Sequence, residues 1–222
     1  MTEDALTPQQ LAESQPEDWR WVLGRLKTRF PTTDVATAAR LVAETVALAP
    51  EGRPPEVVLG GTGVVVAVPG DAAQGITRAD VVAAEAIGAA ARGLGLSPDP
   101  HSVTQLELGL DTADPSALGP FYAALLGSEV RGGEPVDPTG QVPTVWWQTP
   151  APDDTDGALP EPAVPQRWHV DVWVGHDEGE ARLEAVLAAG GRLVSDRAAP
   201  SYWVVEDADG NRSCICTPRG RS

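Results

Sequence analysis

Two stretches of this chain, 64 residues apart, carry the same order of elements, and that duplication limits the fold more than any other feature. In the later copy Trp168, Val170, Val172 and Val174 point one way and His169, Asp171 and Trp173 the other, the period of a strand with two different faces. An amphipathic helix follows over residues 178–189, with Ala181, Leu183, Val186 and Leu187 as its apolar side, and Gly190 and Gly191 end it. Residues 192–195, 202–206 and 213–216 read as three short strands, the last two joined by the turn-forming run from Asp207 to Asn211. Shifted back by 64 positions, His169 falls on Gln105, Asp171 on Glu107, Gly191 on Gly127 and Val194 on Val130. The earlier copy then reads as a strand over 105–110, a helix over 114–126, and strands over 129–131 and 145–148. Two copies of one supersecondary unit pack so that each covers what the other cannot bury.

The polar face of the later strand calls for its own explanation, because buried polar groups occur only where partners satisfy them. An imidazole, a carboxylate and an indole side by side suit the wall of a polar pocket, and equally suit a strand half open to water. Cys214 and Cys216, the only cysteines, share one face of the last strand, where a bridge between them would strain the backbone. Trp146 and Trp147 must take opposite faces of theirs, one towards the core and one towards the pocket. His101 and His176 are expected at the surface.

Residues 1–96 have a different order. A short helix opens near Thr7, with proline in its first turn. Residues 19–29 read as one strand. Thr32, Thr33 and Asp34 cap a helix over 35–48, and the proline-rich run 49–55 breaks it. Strands over 56–59 and 63–68 form a pair, and a long alanine-rich helix covers 78–94. The sequence predicts α, β, α, β, β, α, an α+β domain. Residues 97–101, rich in proline, serve as the linker to a second domain over 102–222.

On these residues two resemblances rest. The run from Asp114 to Gly127, with its aspartate–proline start and Phe121–Tyr122 to Leu126–Gly127 ending, the strand His169–Val174, and the turn Glu206–Asn211 resemble the vicinal oxygen chelate superfamily, in its glyoxalase-like branch. The resemblance spans about residues 102–218 and implies paired βαβββ modules curving round a cupped site. Metal enzymes of that superfamily place a ligand on the first and last strand of each module. Those positions fall on Gln105, His169, Cys214, and near Trp146 or Gln148. One good ligand, one amide and one thiol are a poor set for a hard ion, so a metal-free pocket with no cofactor is expected; a thiol would favour a soft or borderline ion such as zinc. The resemblance also implies Gln105 and His169 facing each other across the cup.

The first domain resembles pterin-4a-carbinolamine dehydratases through Trp19, Phe30, the helix 35–48, Pro55 and Glu56, and the run from Gly75 to Asp80. The implied fold is an α/β sandwich. The family's chemistry needs histidine as acid and base, the side chain that titrates near neutrality unperturbed. Its adjacent histidine pair falls here on Arg53 and Pro54 and its later histidine on Asp71, while the motif aspartate remains as Asp80. Residues 1–100 contain no histidine. A packing or dimerisation module, with Arg53, Asp71 and Asp80 lining a residual ligand cleft, is therefore expected over an active dehydratase.

Composition narrows the partners. A formal net charge of −16 repels nucleic acid and anionic membranes. No apolar run reaches the roughly 20 residues a membrane-spanning helix needs. The first residues lack the basic start and apolar middle of a secretion signal, and cytoplasmic residence in a reducing setting is expected. The functional expectation is small-molecule work in the second domain, of lyase type if catalytic, without a full metal-ligand set and with the protein a homodimer. His169, Asp171 and Glu107 would carry the chemistry, and Gln105, Trp146, Gln148 and Cys214 would contact the ligand. The competing expectations are a non-catalytic protein that sequesters an organic ligand, and residual dehydration of a 4a-hydroxytetrahydropterin by the first domain.

Overall fold

The computed structural model describes residues 5–71, 75–112, 129–140, 143–149, 168–188, 191–206 and 212–220. Contacts divide it into two compact units, one running to Thr104 and taking in Gly175–Asp177, the other starting at Gln105.

In the first unit α1 (Pro8–Ser14) opens on a capping box, in which the Thr7 hydroxyl accepts from the Gln10 amide (3.2 Å) and Gln10 Oε1 accepts from the Thr7 amide (2.9 Å). Two strands then stand where one was expected, β1 (Arg20–Val22) and β2 (Arg25–Pro31). The chain reverses at Leu23 and Gly24, with φ of 45° and 69°. Two successive positive φ values are what a two-residue hairpin requires. Leucine carries no turn signature, which is why the reversal is hidden in the sequence.

The helices α2 (Val35–Leu48) and α3 (Arg78–Gly93) flank a hairpin of β3 (Glu56–Gly60) and β4 (Gly63–Pro69) in the chain. The four strands form an antiparallel sheet in the order β1-β2-β4-β3. The register sets Leu26 against Val68, Thr28 against Val66 and Phe30 against Val64. All six are fully buried, so one face of this pair is the core wall. Leu41 of α2 and Val81, Ala84, Ile87 and Ala91 of α3 close over it, with Trp19 meeting Phe30 edge-on at 6.4 Å. Gly63 is required where β4 begins, since a Cβ there would lie 2.5 Å from the Phe30 carbonyl oxygen. Pro100–Ser102 form a turn of 3-10 helix, and His101 is exposed.

The second unit holds β5 (Gln105–Asp111), β6 (Glu129–Arg131), β7 (Glu134–Val136), β8 (Thr144–Gln148), β9 (Trp168–Trp173), α4 (Gly179–Ala188), β10 (Arg192–Ser195), β11 (Tyr202–Glu206) and β12 (Arg212–Cys216). The expected helix over 114–126, the turn 207–211 and the proline-rich run 150–165 lie outside the described residues. Six strands form one sheet in the order β10-β11-β12-β9-β5-β8, and β6 and β7 make a separate ribbon.

The two first strands, β5 and β9, pair antiparallel at the centre; β8 lies parallel to β5 on one side and β12 parallel to β9 on the other. On one sheet face Val174, Trp203, Val205 and Ile215 form a core with Val172 and with Leu183 and Val186 of α4. The helix start sits close: a Cβ on Gly179 would come within 2.5 Å of the Trp203 ring. The architecture is mixed α+β with four α-helices among the described residues, consistent with a glyoxalase-like second half. No helix among them is long and apolar enough to cross a membrane.

Candidate functional site

Alternation in β9 sends Val172 and Val174 to the α4 core and leaves His169, Asp171 and Trp173 on the opposite face. That face is not a solvated one. Glu107, His169, Asp171, Arg212 and Cys214 are all buried, and Arg212, the most open of them, exposes 9% of its surface. Around β9, β11 and β12 the sheet is buried on both faces, one apolar and one polar.

The strand register assembles the cluster. Cys214 of β12, Asp171 of β9 and Glu107 of β5 lie side by side across three neighbouring strands. His169, two residues before Asp171, stands opposite Gly109. A Cβ on Gly109 would lie 2.7 Å from His169 Nε2 and 3.2 Å from the Trp146 ring, so only glycine leaves the imidazole its place. Trp146, paired with Gly109 from β8, meets the imidazole edge-on with ring centroids 5.9 Å apart. His169 Nε2 lies 3.5 Å from Asp171 Oδ1. A nitrogen of His169, a carboxylate oxygen of Asp171 and Cys214 Sγ all fall within 4.8 Å of one another.

The expected opposition of Gln105 and His169 is corrected. Gln105 pairs with Trp173, not with His169. The reason is geometric. When two first strands pair antiparallel, equivalent residues of the two halves meet only at the centre of the pairing and move apart on either side of it. The centre here is Glu107 against Asp171. Gln105 stands four positions from the partner of His169, or about 13 Å along the strand at ~3.3 Å per residue. The residue across the halves that the duplication brings face to face is thus a second carboxylate, and like charges directly opposite on a sheet repel unless something between or beside them compensates.

Arg212 was not anticipated. It lies two residues before Cys214 on the same face, buried, with Nε 3.5 Å from Glu206 Oε2. Its signal in the sequence was only the alternation Arg212, Cys214, Cys216. Gln148 sits opposite Asp111 at the far end of β8. Trp147, on the other face from Trp146, donates its indole N–H to the Gly133 carbonyl (3.0 Å).

In the first unit Arg53 and Asp80 come together. Asp80 is fully buried and accepts from the Thr77 amide (2.7 Å) and hydroxyl (2.8 Å), while Arg53 Nη1 lies 2.7 Å from Asp80 Oδ1. This caps α3 and engages the one guanidinium that the sequence suggested for gripping an anion. Asp71 closes a small backbone loop, exchanging hydrogen bonds with Gly75 at 2.8 and 2.7 Å.

The donor set of the second unit can be tested against a metal ion, which metal enzymes of the resembled superfamily carry. Tetrahedral zinc with bonds of about 2.0–2.3 Å needs its ligand atoms roughly 3.3–3.8 Å apart. The His169–Asp171 separation of 3.5 Å meets that, and the thiol lies within 4.8 Å of both. The set differs from the one expected from the sequence, because Asp171 takes the part assigned to Gln105.

Residues 107–216 match the model of a family described as a glyoxalase-like domain. The match spans β5 to β12 and so contains the whole buried polar cluster, and it covers just under half of the chain. No curated protein and no solved structure matches the chain.

Proposed function

We propose that the second unit, taken as a domain over 102–222, binds a small organic molecule against the polar face of its sheet. The observation that carries this is the burial of Glu107, His169, Asp171 and Arg212 on one face of a sheet whose other face is a conventional apolar core. Burying so many ionisable groups costs stability, and such costs are concentrated where a ligand or a reaction needs them. The match to a glyoxalase-like domain supports small-molecule binding in the same place.

In this reading His169 moves a proton on the ligand, oriented by Asp171, and Glu107 across the pair holds or accepts the next proton. That is lyase-type acid–base chemistry, for which an imidazole and two carboxylates suffice. Trp146 offers a flat apolar wall, and Cys214, Gln105 and Gln148 stand on the same face of the sheet. The alternative is sequestration: the same groups anchor a ligand and leave it unchanged.

Residues 1–96 are proposed as a dehydratase-like scaffold without dehydration chemistry, since they contain no histidine and Arg53 is held by Asp80. Exposed Val58 and Leu59 on the edge strand β3 favour self-association through this unit into a homodimer.

A thermal-shift screen of small aromatic and polar acids on the full chain tests the main proposal. A true ligand raises the melting temperature of the wild type and fails to raise that of His169→Ala or Glu107→Gln. Chromatography of the recovered ligand then separates conversion from sequestration. A ligand that stabilises all three proteins equally places its site elsewhere and overturns the proposal.

A further inference from the structure

We infer that the indole N–H of Trp146 donates a hydrogen bond to the ligand, and that it selects molecules presenting a neutral carbonyl oxygen at that point. The inference rests on the proposed binding of a small organic molecule to this face, and it names the group by which that molecule is read.

Trp146 Nε1 is buried and has no hydrogen-bond acceptor among the described residues. A buried donor without an acceptor destabilises a fold, so such groups are rare and each calls for an explanation. The next residue on the strand shows the ordinary solution: Trp147, on the opposite face, donates to the Gly133 carbonyl (3.0 Å). Trp19 and Trp21 share the deficit of Trp146, but both pack into the apolar core of the first unit. The missing acceptor is therefore not the signal by itself; its place is. Trp146 stands in the row of the sheet where Gly109 and His169 follow on the next two strands.

That row fixes where the nitrogen lies. Gly109 carries no side chain, and the two rings close over the gap. The indole atom nearest the gap is Cε2, 3.2 Å from where a Cβ would be, beside His169 Nε2 and Cε1 at 2.7 and 2.8 Å. Nε1 is bonded to that carbon, so the donor is one bond from the atom that borders the imidazole. Trp146 as a whole is only partly buried, which leaves ring surface for a molecule to lie against.

Indole donates and cannot accept, so the group it reads is an acceptor. Charge decides which kind. Trp146 is on β8, next to β5, where Glu107 lies two residues before Gly109 and opposite Asp171. Both carboxylates are buried, so an anionic oxygen brought to Trp146 meets two negative charges. The buried guanidinium of Arg212 lies three strands away on β12, against Glu206. A ketone or amide oxygen accepts from the N–H without that repulsion. A hydrocarbon of the same shape leaves the donor unmet, the situation in which a polar site discriminates most strongly.

Nuclear magnetic resonance of the 15N-labelled full chain provides the test, with acetophenone as the probe and ethylbenzene, which lacks the oxygen, as its control. The Trp146 indole signal is identified by its loss when Trp146 is replaced with 3-benzothienylalanine, nearly the same shape with sulfur in place of the N–H. Acetophenone is expected to move that proton downfield and saturably, as hydrogen bonding does, and ethylbenzene is not. The benzothienyl protein, its folding checked by circular dichroism, should bind acetophenone about two- to tenfold more weakly, the worth of one net hydrogen bond. Its affinity for ethylbenzene should be unchanged. Equal affinity of the two proteins for acetophenone, or a Trp146 proton that acetophenone leaves in place, overturns the inference. A ligand that depends on His169 in the thermal-shift screen, found alongside either of those results, leaves the proposed function standing.

Discussion

Gly109 has the least chemistry of any residue at the site and sets the tightest condition on it. Its missing side chain is occupied by the His169 ring, with Nε2 and Cε1 at 2.7 and 2.8 Å from where a Cβ would be, and the Trp146 ring bounds the same space at 3.2 Å. Gly109→Ala therefore requires the imidazole to shift, with the Trp146 ring close enough to limit where it can go. The ring that shifts is the one set against Asp171. Overpacking of this kind costs about 1–3 kcal/mol. The expected result is a fall of that size in urea-denaturation stability. Unchanged stability in a folded Gly109→Ala protein would show that the imidazole does not need this place.

The elements show which sequence signals are dependable. Helix α2 was legible to its ends, because Asp34 is an explicit start signal: its carboxylate accepts from the Ala36 amide (3.0 Å) and the Thr37 hydroxyl (2.7 Å). The hydrogen bond from Thr37 is the main reason the Asp34 carboxyl sits below its ordinary pKa, with the Thr37 and Ala36 amides adding to it. A carboxyl whose pKa is lower folded than unfolded stabilises above its unfolded pKa and loses that contribution as pH falls through the folded value. Asp34→Ala should thus lower the melting temperature at neutral pH, and the gap from wild type should close as the buffer is taken below the ordinary aspartate range. A gap that stays constant into acid would remove the cap from the account.

Strand β9 was equally legible, since its alternation already divided Val172 from Asp171 and His169. What the alternation could not supply was register. A repeat offset of 64 names equivalent residues, but antiparallel pairing decides which of them meet, and it selected Glu107 and Asp171 over Gln105 and His169. The β1–β2 turn was hidden for a local reason, a leucine at positive φ where glycine or asparagine is the usual sign.

At the scale of the molecule, the second unit buries Glu107, His169, Asp171 and Arg212 on one face of a sheet, and the first buries Asp80 against Arg53. The first unit leaves apolar side chains outside on its edge strand β3. Val58 is 66% exposed on an edge strand, a position where natural sheets usually carry a lysine or a covering loop. If that edge joins two chains, the full protein should run as a dimer in size-exclusion chromatography with light scattering, and Val58→Lys should run as a monomer of unchanged circular dichroism. A monomeric wild type would end the homodimer expectation.

The edge-on contact between Trp146 and His169 has a practical corollary. An indole's fluorescence responds to the ring beside it, so any ion or molecule that engages the imidazole must alter the light Trp146 emits. Subtracting the emission of a Trp146→Phe protein isolates that response from the other indoles. The chain thereby carries its own optical gauge of occupancy, readable with no added dye and before any ligand has been identified.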